Sequence, residues 1–405
     1  MTMKINLSGP DITDLEIDYV VNVLNTRHLS LGPKLPEFED KVADYVGSRY
    51  AVAVNSGTSG LHLLVRSLGW GSGDKVITTP FSFIASSNCL LYENVEPVFI
   101  DIDPKTMNLD VDKVDAWLEQ EHAAGRGDQV KGILPVHVFG QPCNMDRIMA
   151  LAAKYNLKVL EDSCEAIGAS YTFENTLDGR FQAGTRKYAG TMGNAGIYAF
   201  YPNKQITTGE GGMIVTDDEE IANLCKSMRN QGRNVDGKWL AHVRLGYNYR
   251  LSDINCALGL AQMERIDEIL EKRSSVANLY NQKLAQIKGV NIPYLASNIE
   301  MSWFVYVIRL DDQYTRDDRD RLMQELLKNG IGCNNYFPPI HLQPFYMQEF
   351  GYKAGDFPVT EHIADRTIAL PFYSSLTEKE MDQVCSVLKQ SLNVITMSDK
   401  SVPVI

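Results

Sequence analysis

The chain has 405 residues, 44% hydrophobic and 22% charged, which is the balance of a soluble globular enzyme with two domains. Its formal net charge of -12 argues against a nucleic-acid partner and against a basic membrane-binding surface. Residues 1–16 lack an apolar core of signal-peptide length, and no stretch approaches the roughly 18 apolar residues of a membrane helix, so we expect neither export nor anchoring.

The seven cysteines are scattered along the chain without a CxxC pair, at positions 89, 143, 164, 225, 256, 333 and 385. An odd, dispersed set fits neither a disulfide framework nor a structural zinc site. We therefore expect a reducing, cytoplasmic setting and no metal site.

The first half of the chain alternates short β-branched runs with helical patterns. Such alternation predicts a mostly parallel sheet with helices on both faces. An amphipathic helix precedes it, because Thr13 and Glu16 have capping-box spacing. The predicted strands are residues 51–54, 76–79, 97–101, 132–137, 158–162, 196–201 and 213–216, and the predicted helices are 59–68, 145–155 and 218–228.

After Arg250 the pattern changes, which predicts a smaller α+β domain at residues 251–397 beside a large domain at residues 1–250. Its predicted elements are one long helix over 252–286, a strand over 303–310, a helix over 319–328 and a final helix over 377–392. Residues 398–405 show no periodicity and are predicted to form a poorly ordered tail.

Lys204 is the most informative residue, because it lies just three residues before the glycine-rich segment 207–212. An amine sheltered beside a tight turn can form a Schiff base with pyridoxal phosphate. Taken alone, however, Lys204 would also fit an ordinary solvated lysine. The rest of the chain has to distinguish these interpretations.

The segment 55–60 follows a predicted strand and opens a predicted helix, and it contains Gly57, Thr58 and Ser59. Unpaired amides and hydroxyl groups at a helix N-terminus are suited to bind a phosphate. The alternative is a tight strand-to-helix turn in which Thr58 or Ser59 caps the helix.

Two further candidates lie at the ends of predicted strands, where doubly wound sheets bind their ligands: Asp162 ends one strand and Phe83 lies just beyond another. A buried carboxylate at Asp162 could pair with a pyridinium nitrogen and keep it protonated, although Asp162 could instead cap a following helix. The ring of Phe83 could stack on a cofactor ring or belong to the core. His137 and His341 lie among apolar residues, where a structural role is commoner, but the loop position of His341 leaves a substrate role open.

The order of these motifs resembles the DegT/DnrJ/EryC1/StrS family of nucleotide-sugar aminotransferases over nearly the whole chain. The residues that carry the resemblance are Gly57-Thr58, Phe83, Glu161-Asp162, Asn203-Lys204, Gly209-Glu210-Gly211-Gly212 and Gly246-Tyr247-Asn248-Tyr249-Arg250. The resemblance implies an α/β, aspartate-aminotransferase-like fold of type I. It also implies a homodimer whose active sites are shared between subunits.

The resemblance also implies a role for each candidate. Lys204 would be the Schiff-base lysine and proton shuttle, Asp162 the pyridinium partner and Phe83 the stacking ring. The phosphate would lie on Gly57, Thr58 and Ser59, and Asn248 would reach the phosphate in the neighbouring subunit's site. Further candidates for substrate binding are Arg250, Tyr336 and His341.

Three positions depart from the family pattern. Ala199 stands where many relatives have a serine that binds the phosphate, so one phosphate contact is expected to be missing or replaced. Glu165 stands where many have a glutamine near the cofactor's phenolic oxygen, as in perosamine-synthase-like members, and a carboxylate there should titrate together with that oxygen. The long stretch 171–194, with Arg180, Arg186 and Lys187, would form either a surface hairpin or a flap over the active site.

These inferences predict a transaminase that uses pyridoxal 5'-phosphate, with pyridoxamine 5'-phosphate as its intermediate form. The amino group would pass from L-glutamate to a nucleotide-linked ketodeoxysugar, at C4 rather than C3, for surface polysaccharide or glycoconjugate synthesis. A related sugar dehydratase is one alternative, but that branch has histidine in place of Lys204. A catalytically silent cofactor-binding protein is another, and a nicotinamide dehydrogenase is disfavoured because the 57–60 segment lacks GxGxxG spacing.

Overall fold

The structure, a computed structural model, describes residues 4–176, 181–234 and 241–399. The helices are α1 (Asp14–Leu24), α2 (Lys34–Val46), α3 (Gly57–Ser67), α4 (Ala85–Leu91), α5 (Val111–Ala123), α6 (Met145–Tyr155), α7 (Glu219–Arg229), α8 (Asp253–Glu264), α9 (Ile266–Leu284), α10 (Arg316–Lys328), α11 (Pro344–Phe350), α12 (Pro358–Ala364) and α13 (Glu378–Asp399). The strands are β1 (Tyr50–Val54), β2 (Lys75–Thr78), β3 (Glu96–Phe99), β4 (Val130–Ile133), β5 (Lys158–Asp162), β6 (Ser170–Thr172), β7 (Arg186–Tyr188), β8 (Ala195–Ala199), β9 (Gly212–Thr216), β10 (Val290–Asn291), β11 (Ile299–Glu300), β12 (Tyr306–Leu310) and β13 (Thr367–Leu370).

The central sheet has the strand order β1-β9-β8-β5-β4-β2-β3. Its strands pair in parallel from β8 to β3, whereas β9 runs antiparallel to both β1 and β8. Apolar side chains are buried on the strands, as expected for a sheet covered on both faces. The expected α/β class with a mostly parallel sheet is therefore confirmed.

Helix α3 lies close against the central sheet because Gly60 has no side chain. A Cβ atom on Gly60 would lie 2.2 Å from Cδ1 of Ile197 on β8. This close packing places the N-terminus of α3 beside the ends of β5 and β8. In doubly wound sheets, ligands bind at that edge.

A second sheet, of order β10-β12-β13, lies in the C-terminal half, where α9, α10 and α13 pack together. Tyr280, Leu322 and Leu388 are among its buried core residues. Ile5 also belongs to this core, since its backbone pairs with Gly330 and Gly332. The domain boundary predicted at residue 250 remains a prediction.

Several element boundaries differ from those predicted. The single helix predicted over 252–286 is two helices, because Arg265 leaves the helical conformation and its guanidinium bonds Asp11 and Glu16. The strand predicted from residue 303 begins at Tyr306, and the last helix continues to Asp399, beyond the predicted end at 392. Residues 400–405 of the predicted tail lie outside the described residues. Within the described part of the chain, no helix combines the length and apolar character needed to cross a bilayer.

Candidate active site

A cavity of about 680 Å³ lies at the edge of the central sheet where β5 and β8 end. Most of the predicted site residues line it, although they are far apart in the sequence. These are Gly57, Thr58, Phe83, Asp162, Glu165, Lys204 and Tyr336. Residues from the second half of the chain, including Phe304 and Asn335, close the opposite wall.

Lys204 lies in the connection between the antiparallel strands β8 and β9. This connection folds back on itself, since the amides of Phe200 and Thr208 bond the carbonyls of Gly211 and Phe200. Gly209 has φ of +81°, a conformation that favours glycine, so the glycine-rich segment does form a tight turn. The largely buried amine of Lys204 is thereby held inside the cavity.

Glu165 is the carboxylate beside this amine. Its Oε1 lies 3.6 Å from Nζ of Lys204, and its Oε2 accepts the amide of Phe139 at 2.8 Å. Burial raises the pKa of the Glu165 carboxyl, whereas the charge of Lys204 and the Phe139 amide act in the opposite direction. The proton affinity of Glu165 therefore depends on the charge of its lysine neighbour.

Asp162 ends β5 and is buried. Its Oδ2 accepts the hydroxyl of Ser86 at 2.7 Å and its Oδ1 accepts the amide of Cys164 at 3.1 Å. A hydrogen bond to an ionised carboxylate contributes about 1.5–3 kcal/mol. Residues 163–169 form turns and no helix, so the alternative in which Asp162 caps a helix is wrong. The carboxylate instead lines the cavity.

The N-terminus of α3 forms the wall below these side chains. Ser56 caps the helix by accepting the amide of Ser59 at 3.1 Å, so neither Thr58 nor Ser59 is the N-cap. The amides of Gly57 and Thr58, at the first helical positions, have no carbonyl partner within α3. They are available to an anion at the positive end of the helix dipole.

Gly57 has no room for a side chain. A Cβ atom there would lie 2.8 Å from both Cβ of Ala199 and Sγ of Cys164. Ala199 thus packs directly against the cradle, by which we mean the backbone of Gly57 and Thr58, and its methyl group brings no hydroxyl to this wall. Ser56 and Thr58 are the hydroxyl-bearing residues next to Gly57 in the cavity wall.

Phe83 contributes an exposed aromatic face to the cavity, and Asn203 contributes a side-chain amide. The Phe83 side chain lines the cavity with 62% of the residue exposed, so the alternative of a core phenylalanine is wrong. Asn203 also lines it, and its buried Oδ1, a hydrogen-bond acceptor, has no partner among the described residues. Together with the cradle and Asp162, these residues fit pyridoxal phosphate.

The cavity wall is poor in positive charge. Among the described residues that line it, Lys204 alone has a cationic side chain, while Asp162, Glu165 and Glu210 are acidic. One ammonium does not balance the two or more negative charges of a phosphate and a nucleotide. Further donors for such ligands have to come from outside this wall.

Four predicted residues do not line the cavity. Ser59 is held by Ser56, and Arg250 donates to Oδ1 of Asn230 at 3.0 Å. Asn248 is exposed at the surface. His341 is fully buried, with Nε2 3.0 Å from Oε1 of Glu361 and its ring against Phe357. His137, the other histidine in an apolar setting, bonds Glu161 and the Cys143 amide.

The exposed Asn248 lies in a well-fixed segment. The carbonyl of Tyr249 accepts the amide of Asn55, which directly precedes the helix cap Ser56. The rings of Tyr247 and Tyr249 stack at 4.9 Å, and Nδ1 of His62 on α3 lies 3.2 Å from the Tyr249 hydroxyl. The segment that carries Asn248 is therefore joined by hydrogen bonds to Asn55 and to α3.

The long stretch 171–194 begins as a hairpin in which β6 pairs with β7 and β11. Arg186 bonds Ser170 and Glu300, and Phe181 stacks on Phe173 at 4.2 Å. None of its described residues lines the cavity. Arg180 lies outside the described residues.

Comparison with protein-family models shows to which family the chain belongs. The model of the DegT/DnrJ/EryC1/StrS aminotransferase family matches residues 10–389. The chain belongs to this family. The resemblance found in the sequence is thus confirmed, and the protein is an aminotransferase with the expected fold.

Individual relatives of this DegT-family chain cover almost its full length. GDP-perosamine synthase of Caulobacter vibrioides is 36% identical over 391 residues, which are 96% of this chain and 98% of that protein. The structure of Helicobacter pylori PseC, an aminotransferase of pseudoaminic acid biosynthesis, matches with a TM-score of 0.86 and 25% identity, over 97% of this chain and all of PseC. The PMP form of Spr1654 from Streptococcus pneumoniae matches with a TM-score of 0.88 and 25% identity, over 98% of this chain and all of Spr1654.

Among the residues of this aminotransferase's cavity that sequence reasoning missed, Ser86 and Phe304 contact predicted site residues directly. Ser86 carries the hydrogen bond to Asp162 from 76 positions away, and the ring of Phe304 lies 3.8 Å from Nζ of Lys204. Phe304 lies in the strand predicted over 303–310, and no local pattern distinguishes it from a core residue. Ser86 lies three residues after Phe83, and that proximity was the one available signal.

Replacing Gly57 tests the cradle. We expect Gly57→Ala to destabilise the fold by about 1–3 kcal/mol through overpacking and to weaken binding of pyridoxal phosphate. Urea unfolding and fluorescence titration measure the two effects. Gly71→Ala is the control, since a Cβ there meets nothing within 4 Å. Adding Ala199→Gly should recover part of the lost stability. An unchanged affinity for pyridoxal phosphate in Gly57→Ala would contradict a role of Gly57 in binding the phosphate.

The pH dependence of stability tests the environment of His341. Burial lowers the pKa of its imidazole, and Glu361 acts in the opposite direction. Below the ordinary value near 6.5, the unfolded chain binds a proton that the folded chain does not, so stability falls as pH decreases. The stability advantage of wild type over His341→Gln should therefore narrow from pH 7.5 to pH 5.5 in thermal melts. A gap that widens would show that the buried ring is protonated.

Proposed function

We propose that this aminotransferase uses pyridoxal phosphate to transfer an amino group from glutamate to the keto carbon of a nucleotide-linked sugar. The observation that carries the proposal is the convergence of Lys204, Asp162, Phe83 and the Gly57-Thr58 amides on one cavity. Its sugar substrate is supported by the names of the relatives, GDP-perosamine synthase and PseC.

The cofactor, when bound, would supply an aldehyde for the amines of lysine and donor and an electron-withdrawing ring for the carbanion. The amides of Gly57 and Thr58 would hold its phosphate, and the exposed face of Phe83 would support its ring. Asp162, fixed by Ser86, would keep the ring nitrogen protonated. Each role uses a group whose position is set by the end of a strand or helix.

Lys204 would both anchor the cofactor and move the proton. Once its amine is displaced by the donor, Nζ can take the proton from the donor carbon and return it on the cofactor side. Its burial in the cavity excludes most of the water that would compete for this proton. The same lysine argues against a dehydratase, which would need histidine at position 204.

Amination at C4 is the finer part of the proposal. It is supported by Glu165, the residue expected in perosamine-synthase-like members, and by the name of the Caulobacter relative. Glu165 lies beside Lys204, where the phenolic oxygen of the cofactor is expected. A carboxyl with a raised pKa can donate a proton to that oxygen instead of repelling it.

We also propose that the chain acts as a homodimer with shared active sites. Apolar side chains are exposed on and after α1, including Ile17 at 53%, Leu24 at 54% and Leu31 at 50%. A face of this kind is typical of a protein interface. The exposed Asn248 would then reach the phosphate in the neighbouring subunit's cavity, where Lys204 is the one cationic side chain among the described lining residues.

A substrate panel tests the function. Purified protein is incubated with glutamate and with 3-keto or 4-keto sugars linked to UDP, dTDP, GDP or CMP, and release of 2-oxoglutarate is measured. We expect turnover with a 4-keto sugar, loss of turnover in Lys204→Ala, and normal turnover in the control Lys41→Ala on the exposed face of α2. Turnover confined to 3-keto sugars would overturn the C4 assignment, and none with any sugar would favour a silent cofactor-binding protein.

Mixed dimers test the shared site. Lys204→Ala and Asn248→Ala chains, each assayed alone at limiting cofactor, should have little activity. If Asn248 acts in the neighbouring site, a mixed dimer contains one site with both native residues, so mixing and re-association should restore activity. If Asn248 acts within its own chain, no mixed site is intact and activity stays at the level of the separate variants.

A further inference from the structure

We propose that Phe304 is a positioning residue whose ring holds the ammonium form of Lys204 whenever that amine is free. The catalytic meaning of this contact rests on the proposed function, in which the amine is displaced during turnover. The contact itself involves only residues of this chain and does not depend on a bound cofactor or sugar.

The geometry is that of a cation over a ring face. Nζ of Lys204 lies 3.8 Å from the ring centroid of Phe304, and Phe304 is 2% exposed. Glu165 approaches the same amine at 3.6 Å. A cation on a buried aromatic face is attracted to the ring quadrupole, and the attraction is stronger where water is excluded.

The ring is held in place by a buried arginine. Nε of Arg273 donates to the carbonyl of Trp303 and its Nη2 to the carbonyl of Phe304, both at 2.7 Å. Arg273 is itself buried, and burial lowers its pKa to about 10. By donating to these two carbonyls, Arg273 fixes the backbone that carries the Phe304 ring.

Lys204 and Phe304 are also tied to one another through their neighbours. The side chain of Gln205 donates to the carbonyl of Ser302 at 3.0 Å and to the carbonyl of Glu165 at 2.6 Å. The amide of Ser302 in turn donates to Gly140. The lysine, the carboxylate and the ring therefore belong to one hydrogen-bonded unit, and their separation is set by the backbone.

This arrangement would assist the lysine in each half-reaction. Proton transfer to Nζ creates an ammonium, and the ring face and Glu165 both stabilise that cation. The ring differs from the carboxylate in one respect, because it neither accepts nor donates a proton. Phe304 would thus hold the amine near its working position without competing for the proton.

Graded fluorination of Phe304 tests the contact. Phenylalanine with one, two or three ring fluorines is introduced at position 304, which weakens the quadrupole with little change in shape. Acylation of the Lys204 amine is then measured in the cofactor-free, full-length protein at fixed pH by mass spectrometry. Acylation needs an unprotonated amine, so its rate should rise stepwise, by about 2- to 30-fold in total.

The same series at Phe337 is the matched control, since that ring also lines the cavity but packs on Phe139 and Tyr336. Acylation of exposed Lys41 serves as an internal reference. A flat series at Phe304, or an equal trend at Phe337, would overturn the proposal. Neither cofactor nor sugar is present in this assay, so a stepwise rise at Phe304 would support the contact even if the substrate panel shows no turnover. A flat series at Phe304 together with normal turnover would refute the contact and leave the proposed function standing.

Discussion

The cavity depends on two adjacent buried carboxylates at the end of β5. Successive side chains of a strand point to opposite faces, so Glu161 and Asp162 serve opposite sides of the sheet. Glu161 accepts the amides of Gly190 and Met192, besides bonding His137. A buried carboxylate with several donors is stable where an isolated one would not be. It fixes the strand end from which Asp162 lines the cavity.

A second constraint joins the two halves of the chain. Just before β12, Ser302 is hydrogen-bonded to Gly140 and Gln205 on the side of the central sheet. The next residue, Trp303, is hydrogen-bonded to Arg273 of α9. A Cβ atom on Gly140 would lie 1.7 Å from the carbonyl oxygen of Ser302, so the backbones are in direct contact. Relative movement of the two sheets would therefore shift Phe304 against Lys204. The geometry around the amine follows from how the halves pack.

The strands of the central sheet could be predicted because alternation and β-branched residues are local signals. The residues near their ends, such as Asp162 and Gly57, could be predicted for the same reason, since parallel strands bring their ends to one edge. Ser86, Phe304 and Arg273 could not, because their roles arise from contacts with residues distant in the sequence. The break at Arg265 was missed for a similar reason. Its ion pairs with Asp11 and Glu16 are tertiary, and the local helical pattern continues through it.

The charges of the cavity differ between its two sides. Ala199 brings no hydroxyl to the Gly57 side, and Glu165 adds a carboxyl on the Lys204 side, so both residues make the wall less favourable to an anion. Near Lys204, however, the carboxylate and the ring of Phe304 both favour a cation. The wall is thus matched to the ammonium of the lysine, whereas an anionic phosphate would rely on the helix amides and on groups beyond this cavity. A phosphate-bearing ligand in this cavity would therefore need further donors or cations from outside the described wall, and the uncharged amide of Asn248 could supply a donor but no charge.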